Sequence, residues 1–193
     1  MDGEHALTSP RTTYVLVDGE NIDATLGGSI LGRRPRSEER PRWDRLLQFV
    51  QEAWGQPVTG LFYLAANNEL PMAFVQALLA LDYRPIPLSG APHEKVVDIA
   101  IQRTLTELAR RDADVMLVSN DGDFITEVGT LLDDEDRRVG VVGFVEFRNH
   151  GFTELIERGL EPFDLEYDVR AFKERLPRVR IIPIDEFDPT AFL

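Results

Sequence analysis

Cysteine is absent from the sequence, which excludes disulfide scaffolds, thiolate zinc sites and cysteine nucleophiles, and fits a reducing compartment. Histidine is scarce: His5, His93 and His150 show no His-x-x-x-His spacing, so a zinc centre has no ligand pattern to rest on. No apolar run approaches the ~20 residues that a membrane-spanning helix needs. The polar N-terminal tail, residues 1–12, lacks the basic start and apolar stretch of a signal peptide. These absences point to a cytoplasmic protein with no membrane partner. Lysine is nearly missing as well. Lys95 and Lys173 are the only two among 21 basic residues, a skew toward arginine that fits a GC-rich bacterial genome.

Positive charge as a whole is in short supply, with 34 Asp+Glu against 21 Lys+Arg and a formal net charge of -13. A protein that held nucleic acid through charge alone is expected to be basic. The acidity therefore excludes broad charge-driven binding unless something cancels the charge locally. What the chain does have is apolar residues, 43% of its 193 positions, enough for one domain with a real core and too many for a disordered chain.

Those residues fall into alternating patterns. Tyr14-Val15-Leu16-Val17 is a β-branched and aromatic run that ends at Asp18-Gly19. Helical spacing over 44–54 places Leu46, Leu47, Val50 and Trp54 on one side. Val58 to Leu64 is a second strand, and Asn68-Glu69-Leu70-Pro71 starts a helix that carries Met72, Val75, Leu78 and Leu79. Residues 84–88 contain Pro85 and Pro87 and suit only an edge strand. Lys95 to Arg110 is a strong helix pattern with Val97, Ile101, Leu105 and Leu108 as its buried stripe. Val115 to Val118 is a buried strand, followed by a helix near 124–132 and a strand from Val139 to Val145. Five strands separated mostly by helices predict an α/β fold with a parallel sheet covered on both faces. Residues 27–42, with five arginines, two prolines and three glycines, read as a long loop. Residues 161–193 read as an extra strand and helix or as an interaction tail, with Arg180-Ile181-Ile182 strand-like.

In an open parallel sheet, ligands bind beyond the carboxyl ends of the strands. Acids collect there. Asp18 ends the first strand, beside Glu20 and Asn21, and Asp121 and Asp123 follow the fourth. Asp98 is embedded in the apolar run 96–101, where a carboxylate is costly to bury without a partner, and Lys95 is its neighbour one helical turn away. Carboxylates drawn together repel and raise one another's pKa. A hard divalent cation such as Mg²⁺ or Mn²⁺ relieves that repulsion through oxygen ligands. Four acids from three segments suit metal-assisted phosphodiester hydrolysis. Each element also has a plainer reading: Asp18-Gly19 as a turn, Asp121-Gly122-Asp123 as a turn and helix cap, Lys95/Asp98 as a solvated pair.

The ordered set D-G-x-N at 18–21, K-x-x-D at 95–98 and S-x-D-x-D-F at 119–124 resembles the NYN family, PIN-like ribonuclease domains that include LabA/DUF88-type bacterial proteins. The resemblance covers roughly residues 13–150. It implies a Rossmann-like, PIN-type three-layer sandwich around a mostly parallel sheet of about five strands, and Mg²⁺- or Mn²⁺-dependent cleavage of RNA. Carried over by position, Asp18, Asp98, Asp121 and Asp123 would be the metal-binding and catalytic acids. Asn21 would hold the loop or a phosphate, Ser119 would position the site by hydrogen bonding, and Lys95 would contact the scissile phosphate or restrain Asp98. The arginines of the 27–42 loop, chiefly Arg33, Arg34 and Arg36, would grip the RNA backbone.

The expected organisation is a tail over 1–12, the nuclease domain over 13–160 and an extension over 161–193 that packs on the domain or recruits a protein partner; a homodimer stays open. Two other functions compete. One is a non-catalytic module that binds RNA or a nucleotide in the same cleft. The other is a phosphatase of the haloacid dehalogenase type, which needs a second aspartate where Glu20 stands.

Overall fold

The computed structural model describes residues 11–67 and 69–193; most of the N-terminal tail and Asn68 of the 68–71 helix start lie outside the described residues. Six strands, one more than expected, form a single sheet in the order β3-β2-β1-β4-β5-β6. They are β1 Thr12–Asp18, β2 Val58–Ala65, β3 Tyr83–Leu88, β4 Ala113–Val118, β5 Val139–Gly143 and β6 Glu161–Asp164. Every neighbouring pair is parallel. The central strands are β-branched and aliphatic on both faces because both faces are covered. Val15 and Val17 of β1 join Met116 and Val118 of β4 in one core. Leu16, Val115 and Leu117 point the other way into a second core.

The helices supply the outer layers. On the first face lie α1 (Gly19–Ala24), α2 (Trp43–Trp54) and α3 (Met72–Ala80), through Ile22, Leu46, Val50 and Leu78. α2 ends at Gly55, whose φ of 64° is the left-handed conformation that terminates helices. On the second face lie α4 (Val96–Leu108), α5 (Ile125–Leu131) and α6 (Phe152–Glu157). Val97, Ile101, Leu105 and Leu108 of α4 are buried, as the spacing predicts. Each such side chain contributes about 1.5–3 kcal/mol, so the first turn of α4 is a fixed platform. Among the described residues no helix is long and apolar enough to cross a membrane.

Several expectations need correction. The chain after β1 does not enter a loop at 27: α1 continues into a π-helical run, Thr25–Leu31, because Leu26 needs the same core as Ile22. Only residues 32–42 are irregular, with one 3-10 turn at Ser37–Glu39. The sixth strand comes from Glu161–Asp164, and Arg180-Ile181-Ile182 forms no strand. β5 stops at Gly143, and Val145–Phe147 turns away as a 3-10 segment. The edge position of β3 follows expectation, since Pro85 and Pro87 have no N–H to give a further strand.

Strand order reverses between β1 and β4, which pair in the register Val17↔Val118. That switch point opens a crevice at the carboxyl ends of the two strands. Asp18 and Ser119 follow these paired valines, on the sheet face shared with Leu16 and Leu117 and covered by α4.

Candidate metal centre

Asp18 is the last residue of β1 and caps α1, accepting the backbone N–H of Asn21 on Oδ1 at 3.4 Å. Gly19 follows because a Cβ there would stand 2.6 Å from the Phe62 ring. The second oxygen, Oδ2, accepts the buried hydroxyl of Ser119 at 2.9 Å. Asp98 enters from the first turn of α4, and Asp121 from the N-cap of the 3-10 turn after β4. One carboxylate oxygen from each of Asp18, Asp98 and Asp121 lies within 4.8 Å of the others. Three segments distant in sequence therefore converge where the switch point opens.

The electrostatics follow from burial. Asp18 is 2% exposed, and burial pushes its carboxyl up to about 6. Hydrogen bonds from Ser119 and Asn21 pull it down in part, and the charges of Asp98 and Asp121 push it up again. Asp98 is likewise raised to about 6, first by burial, then by a hydrogen bond with Asp123 and the charge of Asp121. Lys95 tempers that rise but does not cancel it.

Asp123, expected as a fourth ligand, stands at the rim. Its Oδ2 accepts the Lys95 ammonium at 3.1 Å, while Lys95 is 3.7 Å from Asp98. That ammonium, followed by the hydrogen bond with Asp98, holds the Asp123 carboxyl below its ordinary value. The group within ligand distance thus numbers three acids, with Asp123 and Lys95 forming an exposed pair beside it.

Ser119 also accepts the backbone N–H of Asp121 at 3.1 Å, so one hydroxyl ties two of the three acids. Asn21 accepts the N–H of Asn120 on its side-chain oxygen at 2.9 Å, holding the loop after β4. The cleft has a volume of about 360 Å³, and its walls add Glu20, Asn67 and Glu94 to the expected residues. A larger hollow of about 570 Å³ lies around Gln48, Gln51 and Gln56, at the opposite end of the strands, with Glu52 as the one acid in its lining.

Arg33, Arg34 and Arg36 are not brought into the cleft. Arg33 makes a two-pronged pair with Glu39, Arg40 is tied to Asp23 at 2.9 Å, and Arg42 meets Asp44 at 3.3 Å. Arg34 and Arg36 are exposed and make no ion pair among the described residues. Sequence reasoning missed Asn120, the unnamed middle position of S-x-D. It also missed Glu94 and Asn67, which lie at helix and strand ends that no periodicity singles out.

The NYN domain model matches residues 12–159, most of the chain. Among solved structures, the chain is similar to the crystal structure of a protein of unknown function, VPA0982, from Vibrio parahaemolyticus. That likeness has a TM-score of 0.63 and 19% identity over 87% of this chain and 98% of that one, a likeness of fold. No curated protein matches. Since the family-model match spans most of the chain, the chain belongs to the NYN domain family of PIN-like nucleases.

Proposed function

We propose that the protein is a metal-dependent ribonuclease whose centre is Asp18, Asp98 and Asp121. The observation that carries this reading is the meeting of three carboxylates, one of them almost fully buried, whose nearest cation among the described residues is the exposed Lys95 at the rim, 3.7 Å from Asp98. Such a group is destabilising when fully ionised, and evolution tolerates it where a ligand supplies the missing positive charge. The donor set is all oxygen, which fits Mg²⁺ or Mn²⁺ and offers nothing to a metal that prefers thiolate or imidazole.

Asp18, Asp98 and Asp121 would hold the ion. A bound divalent ion polarises a phosphate and lowers the pKa of an attacking water. Ser119 keeps Asp18 in its ligating orientation, and its hydrogen bond favours the ionised form that a metal needs. Lys95, exposed at the rim beside Asp123, would meet a phosphate oxygen of RNA. Arg34 and Arg36 give the backbone further contacts outside the cleft. Since the chain is acidic overall, RNA affinity depends on these few cations and on the metal.

The test is cleavage of single-stranded RNA by the metal-free full chain with and without added Mn²⁺, set beside Asp121→Asn and an EDTA control. The reading requires cleavage that needs Mn²⁺ and drops at least about 100-fold in the variant, the scale on which a lost charge-stabilising group acts. A wild type no faster than Asp121→Asn sinks it. RNA binding that survives chelation, without turnover, would instead mark a non-catalytic binding module.

A further inference from the structure

Asn120 lies between the two site residues Ser119 and Asp121, yet its side chain points away from the cleft and is 5% exposed. Every polar group it carries is used. Its side-chain oxygen accepts the Phe144 N–H at 2.8 Å, just past the end of β5. Its side-chain nitrogen donates to the Thr25 hydroxyl at 3.4 Å, at the start of the π-helical run. Its backbone N–H donates to Asn21 and its backbone carbonyl accepts the Asn149 N–H at 3.0 Å. The peptides on either side of Asn120 are thereby tied to four segments: α1, the run that follows it, the end of β5 and the turn before α6.

The neighbouring strand is shaped to admit this side chain. A Cβ on Gly143 would collide with the Asn120 side-chain oxygen, so glycine is required at the end of β5. Asp121, by contrast, has only local support: its own N–H on Ser119 and its carboxylate on the Asp123 N–H. The position of Asp121 relative to Asp18 therefore rests on Ser119, which bonds both, and on the peptide between them that Asn120 fixes.

We infer that Asn120 is a positioning residue of the metal centre, setting the reach of Asp121 toward Asp18 and Asp98 from behind the cleft. The inference rests on the metal-site reading above. Groups behind the ligands of a metal typically govern its affinity by 10–100-fold. An alanine at 120 removes two side-chain hydrogen bonds and frees the Asp121 peptide without removing a ligand.

The test is isothermal titration of Mn²⁺ into the metal-free full chain, wild type against Asn120→Ala, with circular dichroism and a metal-free melt to check the fold. The expected result is a dissociation constant raised about tenfold or more in the variant, with cleavage restored by excess Mn²⁺. A purely structural loss would lower the melt without a rescue by metal. A folded Asn120→Ala that binds Mn²⁺ as wild type does overturns the inference. If Asn120→Ala does not fold, Gly143→Ala decides: it displaces the same side chain without deleting a polar group, and unchanged Mn²⁺ affinity there also overturns it. Wild type that binds no Mn²⁺ would fail the metal-site reading itself, a result separable from failure of the variant alone.

Discussion

At the carboxyl ends of β1 and β4, Asp18, Asp98 and Asp121 face one another with no buried cation among the described residues between them; the exposed Lys95 touches only the rim, 3.7 Å from Asp98. At the carboxyl ends of β5 and β6, Glu146, Asp164 and Glu166 also draw together, but around Arg178, whose side chain is 2% exposed. The Arg178 guanidinium reaches Glu146 and Asp164 through paired bonds and lies 4.3 Å from the Tyr167 ring centre and 5.2 Å from that of Phe144. Burial pushes Asp164 up, yet Arg178 and the N–H groups of Tyr167 and Val145 outweigh it, and its carboxyl ends below the ordinary value. Burial pushes Asp18 the same way with nothing comparable to oppose it, and it ends near 6. Two acidic clusters on one sheet edge thus have opposite electrostatics. One is closed by the chain's own arginine and serves the fold. The other leaves its positive charge to come from outside.

The largest effect that would break this comparison is at Arg178. Arg178→Met leaves three largely buried carboxylates unpaired and should cost about 3–5 kcal/mol, read by urea denaturation. A loss under 1 kcal/mol would mean that the cluster is solvated and the contrast false. Next comes Asp18→Asn. It removes a charge that the fold destabilises, so the metal-free protein at pH 7.5 should gain on the order of 1–2 kcal/mol, with Mn²⁺-dependent cleavage lost. Destabilisation in the metal-free state would count against the uncompensated site.

The pH profile sharpens the same contrast. Asp18 and Asp98 hold protons more tightly folded than unfolded, so their contribution is favourable at low pH and fades as pH rises from about 4 through about 6. Asp164 works in the opposite sense: its contribution is present above the ordinary carboxylate pKa near 4 and is lost as pH falls through its lowered value. Since ligands must be ionised, the stabilisation conferred by Mn²⁺ should grow between pH 5 and pH 7, measured as the shift in melting temperature at fixed metal. A metal-induced shift that is flat across that range contradicts the assignment of the two raised carboxyls. The smallest effect belongs to Lys95→Met. Its pairs are exposed, so stability should move by less than about 1 kcal/mol, while kcat/KM for RNA falls about tenfold.

Much of this molecule was legible in its sequence, and the parts that were not share a cause. Tyr14–Val17 and Val115–Val118 read as buried strands because both faces are covered, and the α4 stripe read correctly because Val97, Ile101 and Leu105 repeat every four residues. The acids read as a site because they stand where strands end. Hidden features depend on partners far along the chain. The helical run after Asp18 is disguised by Gly27, Gly28 and the arginines that follow, and its Leu26 is buried in a core that α2, far along the chain, helps to build. β6 is four residues long and contains Pro162, a weak signal until β5 is there to pair with it. Arg178 finds its partners 12 to 32 positions away, and Asn120 reaches Thr25, 95 positions away, and Phe144. Asp123 shares a motif with Asp121, and the two-residue offset sets it at the rim, where it meets both Lys95 and Asp98.

The most direct test of the central contrast is Mn²⁺ binding by calorimetry at pH 7.5 to the metal-free wild type and to Asp18→Asn, Asp98→Asn and Asp121→Asn. Asp123→Asn, outside the three-acid group, serves as the comparison. An open three-acid site predicts saturable binding in the wild type, loss of at least about tenfold in affinity for each of the first three variants, and a smaller change in the fourth. Equal affinity in the wild type and the three variants, or no binding at all, would contradict it.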